Sequence, residues 1–541
     1  MTNTIDDTNE RAPLLGSNHH SNGHGGHHEP TLQAQTPESH TLPPATLPIA
    51  PRRRILIISA IFALSIILSI SGAMGSTAGL QALEDIICRR VHGPGHLRLG
   101  RDKRSFDDDP CKDNAIQGEI ALLIGWDAMF ALLPGLFLTV PFGAVADRYG
   151  RVLVLGMVLL GFTLGLGWFL FVCLMDGALD LRLIWLSNLG GLLGGGPVVF
   201  NSMLFTMIAD ISTDAQRSTA FFYIGTVLMG GLAVAQPITY LAMQRGKWFT
   251  FGLSVILMGV STVVAFCVPE TLDKKAAARV DPVPLNKESV GLLARLRDAS
   301  VHTLRVIRWL FWEQKLVGFL LLSLTFEVFG KTVVGIQKQY ISKRYHLSFA
   351  EASLAETVNL VTIIVVLMAI LPYISHLVLT RYGWSARTKD LRLAQASALL
   401  TATGCILIGV VQTLPLLTAS MIIYSFGTGY TFMIRGLMTS LAGSKDIGLL
   451  YSSIAFVDSF AMIIGSPLYS YLFKVGLGLG GGWIGLPYHF AGVVLVGAAV
   501  LVGAIRGAYV DVGEEQAGES EDLLGRGAND HESGAGEDER V

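Results

Sequence analysis

The sequence predicts an all-α membrane protein of twelve transmembrane helices, arranged as two pseudo-symmetric six-helix halves. Three observations carry that reading. Of the 541 residues, 51% are hydrophobic and only 15% charged, with a mean hydropathy of +0.51, too little charge to cover a water-soluble domain of this length. Apolar runs long enough to cross roughly 30 Å of hydrocarbon, about 20 residues each, recur along the chain. A charged segment at 269–315 divides them six and six.

Residues 1–54 are rich in Gly, Ser, Thr, Pro, Asn and His without periodicity, and read as a disordered cytoplasmic tail. Apolar segments at 55–83, 117–142, 152–175, 183–208, 218–242 and 249–268 make the N-terminal half, 55–268. The polar stretch 269–315 is a cytoplasmic central loop. Helices resume at 316–336, 352–379, 392–412, 415–440, 448–473 and 487–509, within a C-terminal half spanning 316–510. Only Gln412 and Thr413 separate the ninth from the tenth. An acidic tail, 511–541, is again expected to be disordered. The first apolar segment begins near Ile55, so no cleavable signal peptide is expected and the first helix directs insertion.

Lys and Arg in short loops set orientation. Arg52, Arg53 and Arg54, then Arg148 and Arg151, then Arg381, Arg387, Lys389 and Arg392 all fall on one side, which is therefore read as cytoplasmic, with both termini. The loop 84–116 runs against the rule, because it carries Arg89, Arg90, Arg98, Arg101, Lys103, Arg104 and Lys112 on the outer side. Gly190, Gly191, Gly194, Gly195 and Gly196 on helix 4 are spaced for close helix contact.

Several function classes are excluded. A net charge of −2 argues for neither an acidic nor a basic partner, and no nucleic-acid module is present. Five cysteines lie in no zinc spacing, and no Ser-His-Asp set, phosphate loop or metal-ligand constellation appears, so neither enzyme, cofactor nor resident metal is expected. His19, His20, His24, His27 and His28 can hold zinc or copper weakly, but no mid-membrane cluster matches them. Acidic dileucine patterns at Leu14-Leu15 and Leu523-Leu524 fit vacuolar or endosomal sorting; the cell membrane is the default location.

Between the second and third apolar runs lies Gly143, then Asp147-Arg148, then Gly150-Arg151. This pattern resembles the cytoplasmic signature of the major facilitator superfamily, and the likeness extends over about 55–510. It implies a secondary transporter working by alternating access, in which Gly143, Asp147, Arg148, Gly150 and Arg151 latch the two halves in one state. Gly143 and Gly150 permit a tight turn, while Asp147 can pair with arginines and cap a helix start. The counterpart in the second half, Arg381 to Arg387, is degenerate; Pro269-Glu270-Thr271 resembles a family helix-end motif. A finer resemblance, to fungal facilitators distantly similar to proton-coupled folate carriers and tetracycline exporters, rests on Leu83 to Arg89, Cys111 to Gln117, Leu450-Tyr451-Ser452, Gly465-Ser466-Pro467 and Gly485-Leu486-Pro487. Helix 4 lacks the mid-helix arginine of many drug–proton antiporters, and helix 5 lacks their full glycine-proline motif.

Ionisable side chains at mid-bilayer cost roughly 2.5–3.5 kcal/mol on insertion scales and are functional candidates. Asp127, Glu327, Arg435 and Asp458 qualify. Desolvation there favours a carboxylate's protonated form. Glu327 and Lys331, four apart, are either an ion pair or cavity groups; Arg435 and Asp458 present the same choice. Asp127 has no obvious partner and is the candidate proton-responsive carboxylate. Glu119, Glu351 and Glu356 read as solvated at outer helix ends. Cys88 and Cys111 share the long outer loop, which faces an oxidising compartment, and are expected to form a disulfide; Cys173, Cys267 and Cys405 read as buried thiols. The resulting expectation is a monomeric, proton-coupled exporter of a secondary metabolite or drug-like molecule. The alternatives are an importer of a nutrient or vitamin-like solute and a non-transporting sensor.

Overall fold

Hydrocarbon offers no partner to a peptide group, so a chain of this composition must satisfy its backbone within each crossing, which a helix does. The computed structural model describes residues 51–93, 110–176, 178–212, 214–271, 315–441 and 443–505. Both tails before 51 and after 505, the segment 272–314, the N-terminal histidines, the dileucine patterns and Lys103-Arg104 lie outside the described residues. The crossings of the first half are α1 (Pro51–His92), α2 (Asn114–Tyr149), α3 (Arg151–Leu174), α4 (Leu181–Ile211), α5 (Asp214–Met243) and α6 (Lys247–Cys267). Those of the second are α7 (Lys315–Arg344), α8 (Phe349–Arg381), α9 (Ala386–Val410), α10 (414–441), α11 (Gly443–Leu479) and α12 (Gly481–Ile505). Among the described residues eleven of these are long and apolar enough to cross a membrane. The remaining one, α10, is broken by a tight turn at Gly427–Gly429 and diluted by Tyr430, Thr431 and Arg435.

The helices outrun their apolar cores. α1 begins at Pro51, inside the stretch read as tail, and continues to His92; α7 continues eight residues past 336, to Arg344. The starts are set by side chains that meet unpaired backbone donors. Ser348 accepts from the Glu351 amide at 3.2 Å while Glu351 accepts from the Ser348 amide at 2.8 Å, a reciprocal capping box opening α8. Asp180 opens α4 by accepting from the Arg182 amide at 3.0 Å, and Ser385 opens α9 by accepting from Thr388 at 3.2 Å.

Each half has its own apolar core. One gathers Ile61, Val154, Leu155, Met203, Ile224 and Ala265 from the first six helices; the other gathers Leu320, Ala394, Ile434, Ile454 and Val502 from the second six. Two further clusters cross between halves: Ala121 of α2 sits among Tyr469 and Phe473 of α11, and Phe349 of α8 sits among α1 and α2 side chains. Along the seam α2 packs on α11 and α5 on α8. All four seam helices carry an interior proline: Pro134 and Pro141, Pro237, Pro372 and Pro467. Proline removes an intrahelical hydrogen bond and bends the helix; beside Pro372 the backbone widens into a π turn over Val366–Ile370.

The glycines of α4 meet α3 backbone to backbone. A Cβ on Gly190 would lie 2.2 Å from the Gly161 carbonyl oxygen, and one on Gly194 would lie 2.4 Å from the Val158 nitrogen. The small residues therefore serve close packing. The thiols divide differently from expectation: Cys173 and Cys405 are buried, but Cys267, on the last turn of α6, is exposed on the bundle surface.

Gly190→Val should lower stability by about 1–3 kcal/mol through overpacking against rigid backbone. Thermal unfolding in detergent reads this as a lower midpoint, whereas Gly225→Val, with no atom within 4 Å of the added Cβ, should leave the midpoint nearly unchanged.

Candidate functional site

Between the halves lies a cavity of about 440 Å³, within the range that holds a drug-sized molecule. α1, α2, α3 and α5 line it from one half and α7 and α8 from the other. Most of its wall is apolar. Its polar groups are few and they converge.

Asp127 faces this cavity from α2, a little over three turns from the helix start. Contrary to the expectation of no partner, it is held by α4: Asn188 Nδ2 donates to Oδ1 at 2.7 Å and Ser187 Oγ lies at 3.5 Å. Both partners stand on the tightly wound 3-10 run Leu181–Leu193, whose neighbouring Trp185 indole donates to the Leu123 carbonyl at 3.0 Å. Asp127 is thus oriented by neutral donors, and among the described residues no cation pairs with it.

The reading of Glu356 as a solvated end residue is overturned. It lines the cavity, with only 13% of its side chain exposed, and pairs with Lys338 of α7 at 3.6 Å. The other half grips this pair from two directions. Gln236 Nε2 of α5 donates to Glu356 at 3.1 Å, and Lys338 Nζ donates to Thr77 Oγ1 of α1 at 3.1 Å. Thr77 also shares a hydrogen bond with Ser353 at 3.1 Å. Ending helix 7 at 336 hid Lys338. The signal that exposes Glu356 is the Ser348-to-Glu351 capping box, which starts α8 at 349 and sets Glu356 roughly 10 Å along it. Glu119, by contrast, is exposed, and Glu351 is consumed by its cap.

In the C-terminal half the two open choices resolve as ion pairs. Glu327, buried at 1% exposure, pairs with Lys331 one turn on and accepts from Thr431 Oγ1 at 3.0 Å. Arg435 pairs with Asp458. Thr431 and Arg435 are one turn apart on α10, so that helix touches both pairs. Glu327 Oε2 and Asp458 Oδ1 are buried without a hydrogen-bond partner.

The signature hairpin lies at the other end of the bundle from the disulfide. Its geometry changes the roles of two residues, Gly143 and Asp147, and keeps that of Gly150. Gly143 lies within α2 and has nothing within 4 Å of a built Cβ, so it takes no part in the turn. The turn belongs to Gly150, at φ 123°, where a Cβ would lie 2.2 Å from Glu270 Oε2. Asp147 is 70% exposed and, among the described residues, pairs with Arg151 at 3.5 Å and does not cap α3. The cap on α3 comes from Glu270, which accepts from the Arg151 amide at 3.0 Å and the Val152 amide at 3.3 Å. Arg151 makes its close ion pair with Asp210 at the end of α4, at 2.6 Å, and Thr271 Oγ1 lies 3.3 Å from the same carboxylate. Arg53 at the start of α1 donates to the Glu270 carbonyl at 2.8 Å. Arg148 stacks its guanidinium 5.4 Å from the Tyr149 ring. The hairpin thereby ties together the ends of α1, α2, α3, α4 and α6, all within one half.

At the opposite end Cys88 and Cys111 are joined as a disulfide, with Cα atoms 5.1 Å apart. Two cations that strained the loop-charge rule are satisfied locally: Arg89 pairs with Asp176, and Lys112 with Glu84 at 2.7 Å. No group of three His, Cys, Asp or Glu side chains suited to a metal occurs among the described residues.

Twelve helices in two halves, closing on a small polar-tipped cavity, define a secondary transporter of small solutes. Residues 115–466 match the Major Facilitator Superfamily, and the chain belongs to that family. It is 29% identical over 425 residues to the MFS efflux pump atnC of Emericella nidulans, covering 78% of this chain and 82% of that protein. It is 28% identical over 503 residues to the MFS-type transporter aprT of Aspergillus flavus, covering 92% and 97%, and 26% identical over 432 residues to the efflux pump ustT of the same species, covering 77% and 82%. Among solved structures, a bacterial homologue of the iron transporter ferroportin in an inward-facing state aligns over 84% of this chain and 99% of its own, with TM-score 0.56 and 12% identity. The D-xylose–proton symporter aligns over 83% and 97%, with TM-score 0.55 and 14% identity. At those identities the likeness concerns the fold.

Glu270→Ala should cost about 1 kcal/mol by uncapping α3. Gly150→Ala should cost more in the native background than beside Glu270→Ala, because the added methyl then meets no carboxylate. A double-mutant cycle on unfolding midpoints measures that coupling.

Proposed function

We propose that this protein exports a small organic molecule from the cytoplasm in exchange for protons, with Asp127 as the proton-carrying group. One observation supports that reading above the others: Asp127 reaches the cavity and, among the described residues, is held by the neutral groups of Asn188 and Ser187 without a cation. The other carboxylates deep in the described bundle each face a cation, Glu327 with Lys331, Glu356 with Lys338 and Asp458 with Arg435. A carboxylate with no cation beside it gains or loses a proton without breaking an ion pair or stranding a partner's charge. Coupling a proton to cargo movement needs a group free to make that exchange.

Two relatives named as efflux pumps favour export. Loop charges favour placing the hairpin end in the cytoplasm, together with both termini. In this arrangement the halves meet through Thr77, Gln236, Lys338 and Glu356 on the disulfide side of the cavity, while Phe137, Val140 and Asp147 of α2 stand exposed towards the hairpin end. That asymmetry suits a state open to the cytoplasm. The latch then engages the second half when this end closes, Asp147 being the exposed member available for it. A single chain encloses the whole cavity, which favours a monomer as the working unit, in the cell membrane.

Flux of a panel of fluorescent drug-like dyes, driven by an imposed pH gradient in proteoliposomes, tests the assignment. Asp127→Asn should lower gradient-driven flux at least about tenfold, the scale of one lost coupling interaction, while dye exchange without a gradient persists. An Asp127→Asn protein whose flux kept its native pH dependence would end Asp127's candidacy.

A further inference from the structure

At the disulfide end a buried lysine joins the two halves, and its contacts to them differ in kind. Lys112 stands on the short turn Pro110–Lys112 between α1 and α2 and is only 7% exposed. Towards its own half it is tied twice over. Its ammonium pairs with Glu84 at 2.7 Å, and Glu84, 3% exposed, also accepts from Gln81 at 3.1 Å and from Gln117. One residue earlier Cys111 is bonded to Cys88, and Gln117 Nε2 lies 3.3 Å from the Cys111 carbonyl. Glu84 and Cys88 are one turn apart on α1, so an ionic and a covalent fastening hold the same turn to the same helix face.

Towards the other half the Lys112 ammonium meets neutral groups. Lys112 Nζ donates to Ser342 Oγ at 2.8 Å and lies 4.3 Å from the centre of the Phe349 ring. Ser342 and Phe349, the first at the end of α7 and the second at the start of α8, are fully buried. Ser342 in turn donates to the Leu347 carbonyl at 2.6 Å, and Lys343 Nζ donates to the Lys112 carbonyl.

We propose that Lys112 is the bolt that closes the disulfide end of this transporter, and that the Cys88–Cys111 disulfide holds the bolt in position. Breaking a buried ion pair strands a charge, whereas releasing a hydroxyl and a ring does not. When this end opens, Lys112 therefore stays with Glu84 in the N-terminal half. Ser342 keeps its bond to Leu347 and leaves with Phe349. Neither Lys112 nor Glu84 is orphaned at any point in the cycle, and the half-buried Lys343 gives up only a carbonyl, so the contact is strong enough to seal and cheap enough to break. This arrangement needs only alternating access and is independent of which cargo or ion moves.

The test reads exposure of the cavity directly. In sealed vesicles containing Leu80→Cys protein, a membrane-impermeant maleimide is added on the disulfide side, and labelling at position 80 is quantified by mass mapping. Leu80 lines the cavity and is 6% exposed. Ser342→Ala with Phe349→Leu should speed labelling about tenfold, as expected when the open population gains from loss of one strong contact. Glu84→Gln with Lys112→Met removes both charges, leaves no orphan, and should give the same rise. Reduction by an impermeant phosphine should also raise the rate, and reoxidation should restore it. Unchanged labelling in both paired variants, or equal rises from both sides of the membrane, overturns the bolt; an unchanged rate on reduction overturns the role of the disulfide. Neither cargo nor a proton gradient enters the readout, so it succeeds or fails separately from the export mechanism.

Discussion

A charge in hydrocarbon must find an opposite charge or give up its ionisation, and that constraint organises this bundle. The interior pairs lie on neighbouring helices or on successive turns of one helix, so each binds its own half together. Glu327 with Lys331 and Arg435 with Asp458 lock α7, α10 and α11. Arg151 with Asp210 fastens α3 to α4. Lys247 with Asp85 fastens α6 to α1. Across the seam Lys112, Lys338 and Glu356 instead each meet a hydroxyl, an amide or a ring. Ion pairs within a half and charge-to-neutral contacts across the seam divide the molecule into parts that stay rigid and a surface that separates.

The seam helices carry the complementary feature. α2, α5, α8 and α11 each have an interior proline, while the α3–α4 contact is glycine against glycine. Prolines place bends where the halves meet. Glycines remove side-chain volume where helices must remain in register. Asp127 lies where the two regimes touch, on a seam helix yet held by α4, so a change in its hydrogen bonding reaches both the cavity and the packed layer behind it.

Hydropathy made the architecture legible: twelve apolar runs and a charged divider suffice, because the cost of exposed peptide groups in hydrocarbon leaves few other solutions. Helix ends were less legible. Gln337 to Arg344 is polar by composition, yet it continues α7 because its Lys338, Lys343 and Arg344 find partners outside α7. The same limit hid Glu356, whose burial depends on Lys338 and Gln236, and Asn188, which is 61 residues from Asp127. Intrahelical pairs such as Glu327 with Lys331 show in the sequence as a four-residue spacing; interhelical ones leave no local trace. The hairpin was recognisable from its residue pattern, but the division of labour within it was not. Glu270 caps α3 from the far end of α6, so the capping role given to Asp147 was misplaced, and Gly143 proved to be an ordinary helical residue.

The glycine contact between α3 and α4 bears on how such a carrier diversifies. Because those backbones touch, the Asn188 that orients Asp127 is set by main-chain geometry and not by the side chains lining the cavity. Leu80, Ile124, Leu166, Leu232 and Leu360 can then be exchanged for residues of other shapes without moving the acid that they surround. With Asp127 in its proposed proton-carrying role, selection for a new cargo and retention of the energy source act on separate sets of positions, and a lineage built on this scaffold is free to change what it carries while keeping how it is driven.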